Sequence, residues 1–194
     1  VQDVIITSSN EKRGVRDALK IAANSDSRIA SMSLGTPFYS STVADGVYYA
    51  YNSGVMVMSA AGTSISFLSW YGVIFPATMS QTVAVTGVKD GEELEACEAC
   101  HDGSAVDFVI VMERASNDER HSLSLATYGN QPSYIGGSSC ATATMAGVTA
   151  MVWSAHPNWG RNTVMQRLKQ SSEFYPNPHG AFGYGRIDAL QAVE

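Results

Sequence analysis

Apolar and polar positions alternate along the chain in a way that sets out helices and strands in turn. Residues 14–23 place Val15, Ala18, Leu19 and Ala22 at the three- and four-residue spacing of one helical face. Residues 28–34 give a short strand that ends at Gly35. A second helix is expected over 43–52, closed by Ser53 and Gly54, and the continuous apolar run 55–61 suits a strand covered on both faces. Runs of the same character occupy 83–88 and 106–111. Residues 138–155 start with small side chains and end with apolar ones, which predicts a long buried helix stopping before Pro157. An amphipathic helix over 162–170, with Asn162 as its expected cap, and a terminal helix over 186–193 complete the pattern. The stretches 92–103 and 113–122 have no clear period and are expected to be exposed loops. Helices interleaved with fully apolar strands predict an α/β fold, a largely parallel sheet with helices on both faces.

The length of 194 residues, with 45% hydrophobic and 15% charged positions, suffices for one sizeable core and predicts one domain or most of one. A net charge of −6 with scattered Lys and Arg argues against nucleic acid as a partner, because phosphate binding needs clustered cations. The longest apolar runs, 55–61 and 145–153, are too short to cross a hydrocarbon core, so no membrane partner is expected. Val1 stands first in place of Met, and the expectation is a processed or truncated start.

Three cysteines are an odd count and leave at least one thiol outside any intrachain pair. Cys97, Cys100 and His101 spell the haem-attachment pattern CxxCH, yet Glu92, Glu93, Glu95, Glu98 and Asp102 around them speak for an exposed loop. A local Cys97–Cys100 disulfide is the favoured reading, ahead of metal capture by Cys97, Cys100 and His101 and further ahead of haem. The richer segment is 136–147, GGSSCATATMAG. A serine in the first turn of a helix sits beside unpaired N–H groups and the positive end of the helix dipole, where developing negative charge is favoured. The plainer alternative is that Ser138 and Ser139 only cap a buried helix.

Within that segment Gly137, Ser138, Ser139, Ala141, Thr142, Ala146 and Gly147 resemble the nucleophile motif of the subtilisin-like serine proteases, the subtilase family. The segment departs at Cys140, where Met is frequent, and at Ala143 and Thr144, where the family usually has Pro and His. Three further pieces resemble the family in the same order. Ser31-Met32-Ser33-Leu34-Gly35 is similar to its N-x-S-L-G strand. Ser53-Gly54-Val55 through Ala60-Ala61-Gly62-Thr63 is similar to its strand ending in Ala-Ala-Gly-Asn. Phe75-Pro76-Ala77 with the strand after it is similar to its Tyr-Pro-Ala, where a cis peptide is common. Pro157, Trp159 and residues 183–189 resemble the family's closing helix, turn and helix.

The resemblance implies a subtilisin-like sheet from which the N-terminal strands are absent, residues 1–194 being the C-terminal part of one catalytic domain. It implies a serine endopeptidase in which Ser139 forms the acyl-enzyme. It puts Thr63 at the oxyanion position in place of Asn, a donor whose loss in subtilisin costs roughly 10²–10³ in turnover. Ser33, Leu34 and Gly35, with Ala60, Ala61 and Gly62, are the implied substrate-binding residues. Ile74 falls at the base of the main specificity pocket, where its bulk shortens the pocket. Cys140, next to Ser139, is expected to pack or to be sensitive to oxidation rather than to attack. Tyr48, Tyr49, Tyr51, Trp70 and Tyr71 are aromatic candidates for peptide subsites, with packing as their default.

The triad Asp and His have no motif in these residues. Residues 1–7 resemble the strand that follows the histidine-bearing helix. His101, His121 and His179 are expected in solvated loops and His156 at a helix end, so Asp and His are expected from a preceding segment, separate or joined. The implied partners are a polypeptide substrate and that segment. No cofactor is required, calcium is the ion the resemblance admits, and secretion is the implied location. The alternative function is a catalytically inactive protease-like domain that binds peptides.

Overall fold

The computed structural model describes residues 11–64, 72–113, 124–128 and 131–194. The elements run α1 (Glu11–Asn24), β1 (Ile29–Met32), α2 (Ser41–Asn52), β2 (Met56–Ala60), β3 (Thr82–Lys89) and β4 (Phe108–Glu113). They continue with β5 (Ser124–Tyr128), β6 (Gln131–Ile135), α3 (Gly137–Ala155), α4 (Arg161–Gln170) and α5 (Ala189–Val193). Strands β1 to β4 form one parallel sheet in the order β1-β2-β3-β4.

Alternation along β2 explains the layering, because successive side chains of a strand leave opposite faces. Met56 and Met58 enter a cluster with Ala141, Met145, Val152 and Trp153 of α3 and Val164 and Leu168 of α4. Val55 and Val57 enter the opposite cluster, with Val15 and Leu19 of α1 and Val43, Val47 and Ala50 of α2. Every residue of β2 is buried, as a strand with helices on both sides requires. The fold is α/β, a parallel sheet flanked by helices.

Several boundaries differ from the sequence expectation, each for a local reason. Helix α4 is capped by Gly160, and Asn162 lies one residue inside the helix. Helix α5 starts at Ala189 because Arg186 and Ile187 bridge to Val109 and Ser172, after which Asp188 caps it by accepting from the Gln191 N–H. Strands β5 and β6 form an antiparallel hairpin that was not expected. The acidic stretch 92–103 is not an exposed loop throughout: Ala96 bridges Val88 of β3, and Cys97 and His101 are 2% and 5% exposed. Cys97 and Cys100 are joined by a disulfide, which occupies both sulfurs that haem or metal capture would need. The Phe75–Pro76 peptide is cis. Residues 1–7, Trp70, Tyr71, His121 and the loop expected over 114–122 lie outside the described residues, while Glu113 closes β4.

Candidate active site

The chemistry gathers where β1 and β2 end, which is where open parallel sheets place their ligands. Beyond β1, Ser33, Leu34 and Gly35 are exposed. Beyond β2, the chain passes through buried Ala61 and Gly62 to a half-buried Thr63. The first turn of α3 faces both. Its cap, Gly136, has no side chain and so makes no side-chain bond to the N–H groups that a first helical turn leaves unpaired. Gly137 has φ of +86°, and a Cβ there would stand 3.3 Å from Thr63 Oγ1, so the turn that brings α3 up to β2 is open only to glycine.

Two adjacent serines take different parts. Ser138 is 1% exposed, and its Oγ accepts from the Gly62 N–H at 3.2 Å and lies 2.9 Å from Thr63 Oγ1. Ser139 is half-buried, with its Oγ 3.4 Å from the Ser33 carbonyl oxygen. The Ser33 hydroxyl donates to the Ser139 carbonyl at 2.8 Å, which ties the helix start to the end of β1. Ser138 is therefore a structural hydroxyl under the turn. The Ser139 hydroxyl makes one long contact among the described residues, to the Ser33 carbonyl.

The other sequence candidates distribute as follows. Ala61 has its N–H on the Val85 carbonyl and its own carbonyl on the Ile74 N–H, both at 2.8 Å, so with Ala60 it forms a buried wall. Ile74 lies across from Gly35: a Cβ on Gly35 would meet Ile74 Cδ1 at 2.6 Å and the Phe75 carbonyl at 2.9 Å. An antiparallel bridge between Thr36 and Phe75 fixes that approach. Cys140 packs its half-buried side chain against the core under α3, and burial pushes its thiol up, away from the thiolate a nucleophile needs. Tyr49 donates to Asn24 of α1 at 2.9 Å, and Tyr51 lies under the Arg161 guanidinium at 3.6 Å, so both serve packing between elements.

Three histidines are described, and each is occupied elsewhere. His156 caps α3, stacks on Trp159 at 3.8 Å and places Nε2 3.1 Å from the Val193 carbonyl. His179 is exposed and accepts from the Ala181 N–H at 3.1 Å. His101 was expected to be solvated and is instead buried, with Nε2 3.1 Å from Ser64 Oγ. Its burial was missed because its acidic neighbours mark a surface; the usable signal was the closely spaced cysteine pair, which folds a short loop back on itself. No group of three or more His, Cys, Asp and Glu among the described residues could hold a metal ion, so the calcium that the resemblance admits has no such cage there.

The family model described as the subtilase family matches residues 5–185. Subtilisin E of Bacillus subtilis (strain 168) is 30% identical over 188 residues, covering 97% of this chain and 46% of its own length. The thermostable alkaline protease of Halalkalibacterium halodurans is 28% identical over 187 residues, covering 96% of this chain and 47% of its own. The chain thus spans just under half the length of these relatives. Among solved structures, a protease from Pseudoalteromonas arctica superposes with a TM-score of 0.75 at 24% identity, over 93% of this chain and 57% of that one. A psychrophilic protease designated S41 gives a TM-score of 0.74 at 19% identity, over 91% and 63% respectively, a likeness of fold.

Proposed function

Because the chain belongs to the subtilase family, we propose that it is the nucleophile-bearing part of a serine endopeptidase that cleaves peptide bonds through an acyl-enzyme on Ser139. The observation that carries this reading is convergence: the half-buried Ser139 hydroxyl, the start of α3 and the Thr63 hydroxyl meet at the ends of two parallel strands. In the reaction Ser139 Oγ adds to the scissile carbonyl carbon while its proton passes to an imidazole. The carbonyl oxygen becomes an oxyanion, and collapse of the adduct expels the amine, which takes that proton. Water repeats the sequence on the ester and releases the acid.

The Ser139 N–H and the Thr63 hydroxyl hold the oxyanion. Ser138 supports the second donor: its Oγ accepts from the Gly62 N–H and shares a hydrogen bond with Thr63 Oγ1, and the arrangement in which Ser138 donates is the one that leaves the threonine proton for the oxyanion. The exposed backbone of Ser33, Leu34 and Gly35 takes an extended peptide as an added strand, and Ala60, Ala61, Gly62 and Ile74 wall the pocket beneath it. We assign the imidazole and its orienting carboxylate to a preceding segment, because no triad motif surrounds any of the four histidines in the sequence and the three described ones, His101, His156 and His179, are bound elsewhere. Secretion accords with the Cys97–Cys100 disulfide, which persists in oxidising compartments.

A fluorophosphonate labels only a serine with a working base, so the complete protein is expected to take one label at Ser139 and the Ser139→Ala variant none. The second reading, an inactive peptide-binding domain, is favoured by Thr63 in place of Asn. It gains if the complete protein binds peptides and stays unlabelled.

A further inference from the structure

The Cys97–Cys100 loop lies directly under the turn that carries Thr63. Residues 99–101 pair with 62–64 as a short antiparallel ladder: the His101 N–H donates to the Gly62 carbonyl at 2.9 Å and the Ser64 N–H to the Ala99 carbonyl at 2.6 Å. The His101 ring continues the contact. An ideal Cβ on Gly62, whose φ is +129°, would stand 2.3 Å from His101 Nδ1, so the imidazole occupies the space that any side chain there would need. Nε2 reaches Ser64 Oγ at 3.1 Å, and the ring therefore braces the residues on both sides of Thr63.

Nδ1 is buried and has no hydrogen-bond partner among the described residues. A buried acceptor without a donor is unfavourable and calls for a reason. The Gly62 Cα–H that stands in place of a Cβ points at that nitrogen, a weak contact that fits the tautomer with its proton on Nε2, donated to Ser64. The loop itself is fastened to β3. Cys97 N–H donates to the Gly87 carbonyl at 2.9 Å, Thr86 Oγ1 to the His101 carbonyl at 2.5 Å, and both sulfurs rest where a Gly87 side chain would be.

We propose that His101 is a positioning residue for the oxyanion turn: the disulfide-closed loop wedges its imidazole under Gly62 and fixes the direction in which Thr63 presents its hydroxyl. The proposal rests on the protease reading above. A threonine reaches less far than an asparagine, so its donor geometry depends on where the backbone of residues 62–64 is held. His101 holds it from one side, and Ser138 from the other.

The test is steady-state hydrolysis of a peptide substrate by the complete protein, with His101→Ala, His101→Gln, Thr63→Val and the His101→Ala/Thr63→Val pair. A misaimed donor costs part of the roughly 10²–10³-fold that a lost one does. His101→Ala is therefore expected to lower kcat by about 10-fold or more with KM within about twofold, and His101→Gln, which restores the polar reach to Ser64, to recover much of that loss. The double variant is expected to be no slower than Thr63→Val alone, because the histidine acts through the threonine. A loss that multiplies with Thr63→Val, falls wholly in KM, or is absent overturns the proposal. Should His101→Ala fail to fold by circular dichroism, Ser64→Ala removes only the Nε2 partner and must show the same non-additivity on a smaller scale. A wild-type protein that takes no fluorophosphonate sinks the protease reading and this proposal with it; a labelled wild type with an unimpaired His101→Ala sinks this proposal alone.

Discussion

Ile74 Cδ1 and Cγ1 lie 2.6 and 2.9 Å from where a Cβ on Gly35 would be, so a branched side chain stands across the space between the two strand ends that frame the cleft. Under the protease reading this is the specificity pocket, and the side chain shortens it. The wild-type protein is expected to prefer small or medium apolar residues before the scissile bond. Ile74→Ala is expected to raise the relative kcat/KM for a phenylalanyl over an alanyl substrate by about 10-fold or more, since a methylene in an apolar pocket is worth roughly that factor. A peptide-library profile in which the wild type already favours large aromatic residues would sink this. Where Ile74 and Ser139 lie, against Gly35 and in the first turn of α3, was legible in the sequence because short motifs fix their neighbours. His101 was not, because its place depends on a disulfide and on a glycine 39 positions earlier in the chain, Gly62, which no local pattern connects to it.

Among elements, the β3–β4 joint depends on one carboxyl group. Asp107, just before β4, donates its N–H to the Ala84 carbonyl at 2.9 Å and accepts the Ala84 N–H through its side chain at 2.8 Å, which fixes the two strands in register. Burial pushes its carboxyl from the ordinary 3.8 up to about 6, against the pull of the Ala84 N–H and the Lys169 charge. Arg161 and Lys169 line the same cavity of about 230 Å³. Folded Asp107 therefore holds its proton at a pH where the unfolded chain has released it. Its contribution is greatest below about pH 4, declines as the pH rises to about 6, and is constant above that. Asp107→Asn keeps an oxygen for the Ala84 N–H and cannot ionise. It is expected to match the wild type near pH 4 and exceed it at pH 8 by about 1–2 kcal/mol, the effect of a carboxyl raised from 3.8 to about 6, discounted for contact with water through the cavity. Thermal unfolding across that range checks it, and a less stable variant at pH 8 would show that the attraction to Lys169 outweighs burial. The elements themselves were readable where periodicity is strong, as in the unbroken run that became β2. The β5–β6 hairpin was not read, although Gly129-Asn130 between two alternating runs is a hairpin signal, because Pro132 inside the second run argues against a strand.

At the scale of the whole molecule, α3 has a composition that its described surroundings do not account for. Its 19 residues include no charge, yet Ala143, Thr144, Gly147, Ala150, Met151 and Ser154 form an exposed stripe, with Met151 52% exposed. A helix face meant for water ordinarily carries charged residues, and one without them suits burial on both sides. The stripe begins one turn beyond Ser139, which is where the segment supplying imidazole and carboxylate has to sit under the proposed function. The two situations give Gly147 opposite signs. No described residue lies within 4 Å of a Cβ built there, so on an open face replacing this helical glycine stabilises the helix by roughly 0.5–1 kcal/mol. Under a packed segment, Gly147→Glu buries an unpaired carboxylate and is expected to cost several kcal/mol and abolish hydrolysis. Gly180→Glu, at an equally open position in an exposed loop, is the control and is expected to stay within about 0.5 kcal/mol. Denaturant unfolding of the complete protein decides between them: a Gly147→Glu variant as stable as wild type or more so would mean that the stripe faces water and that the partner of Ser139 docks elsewhere.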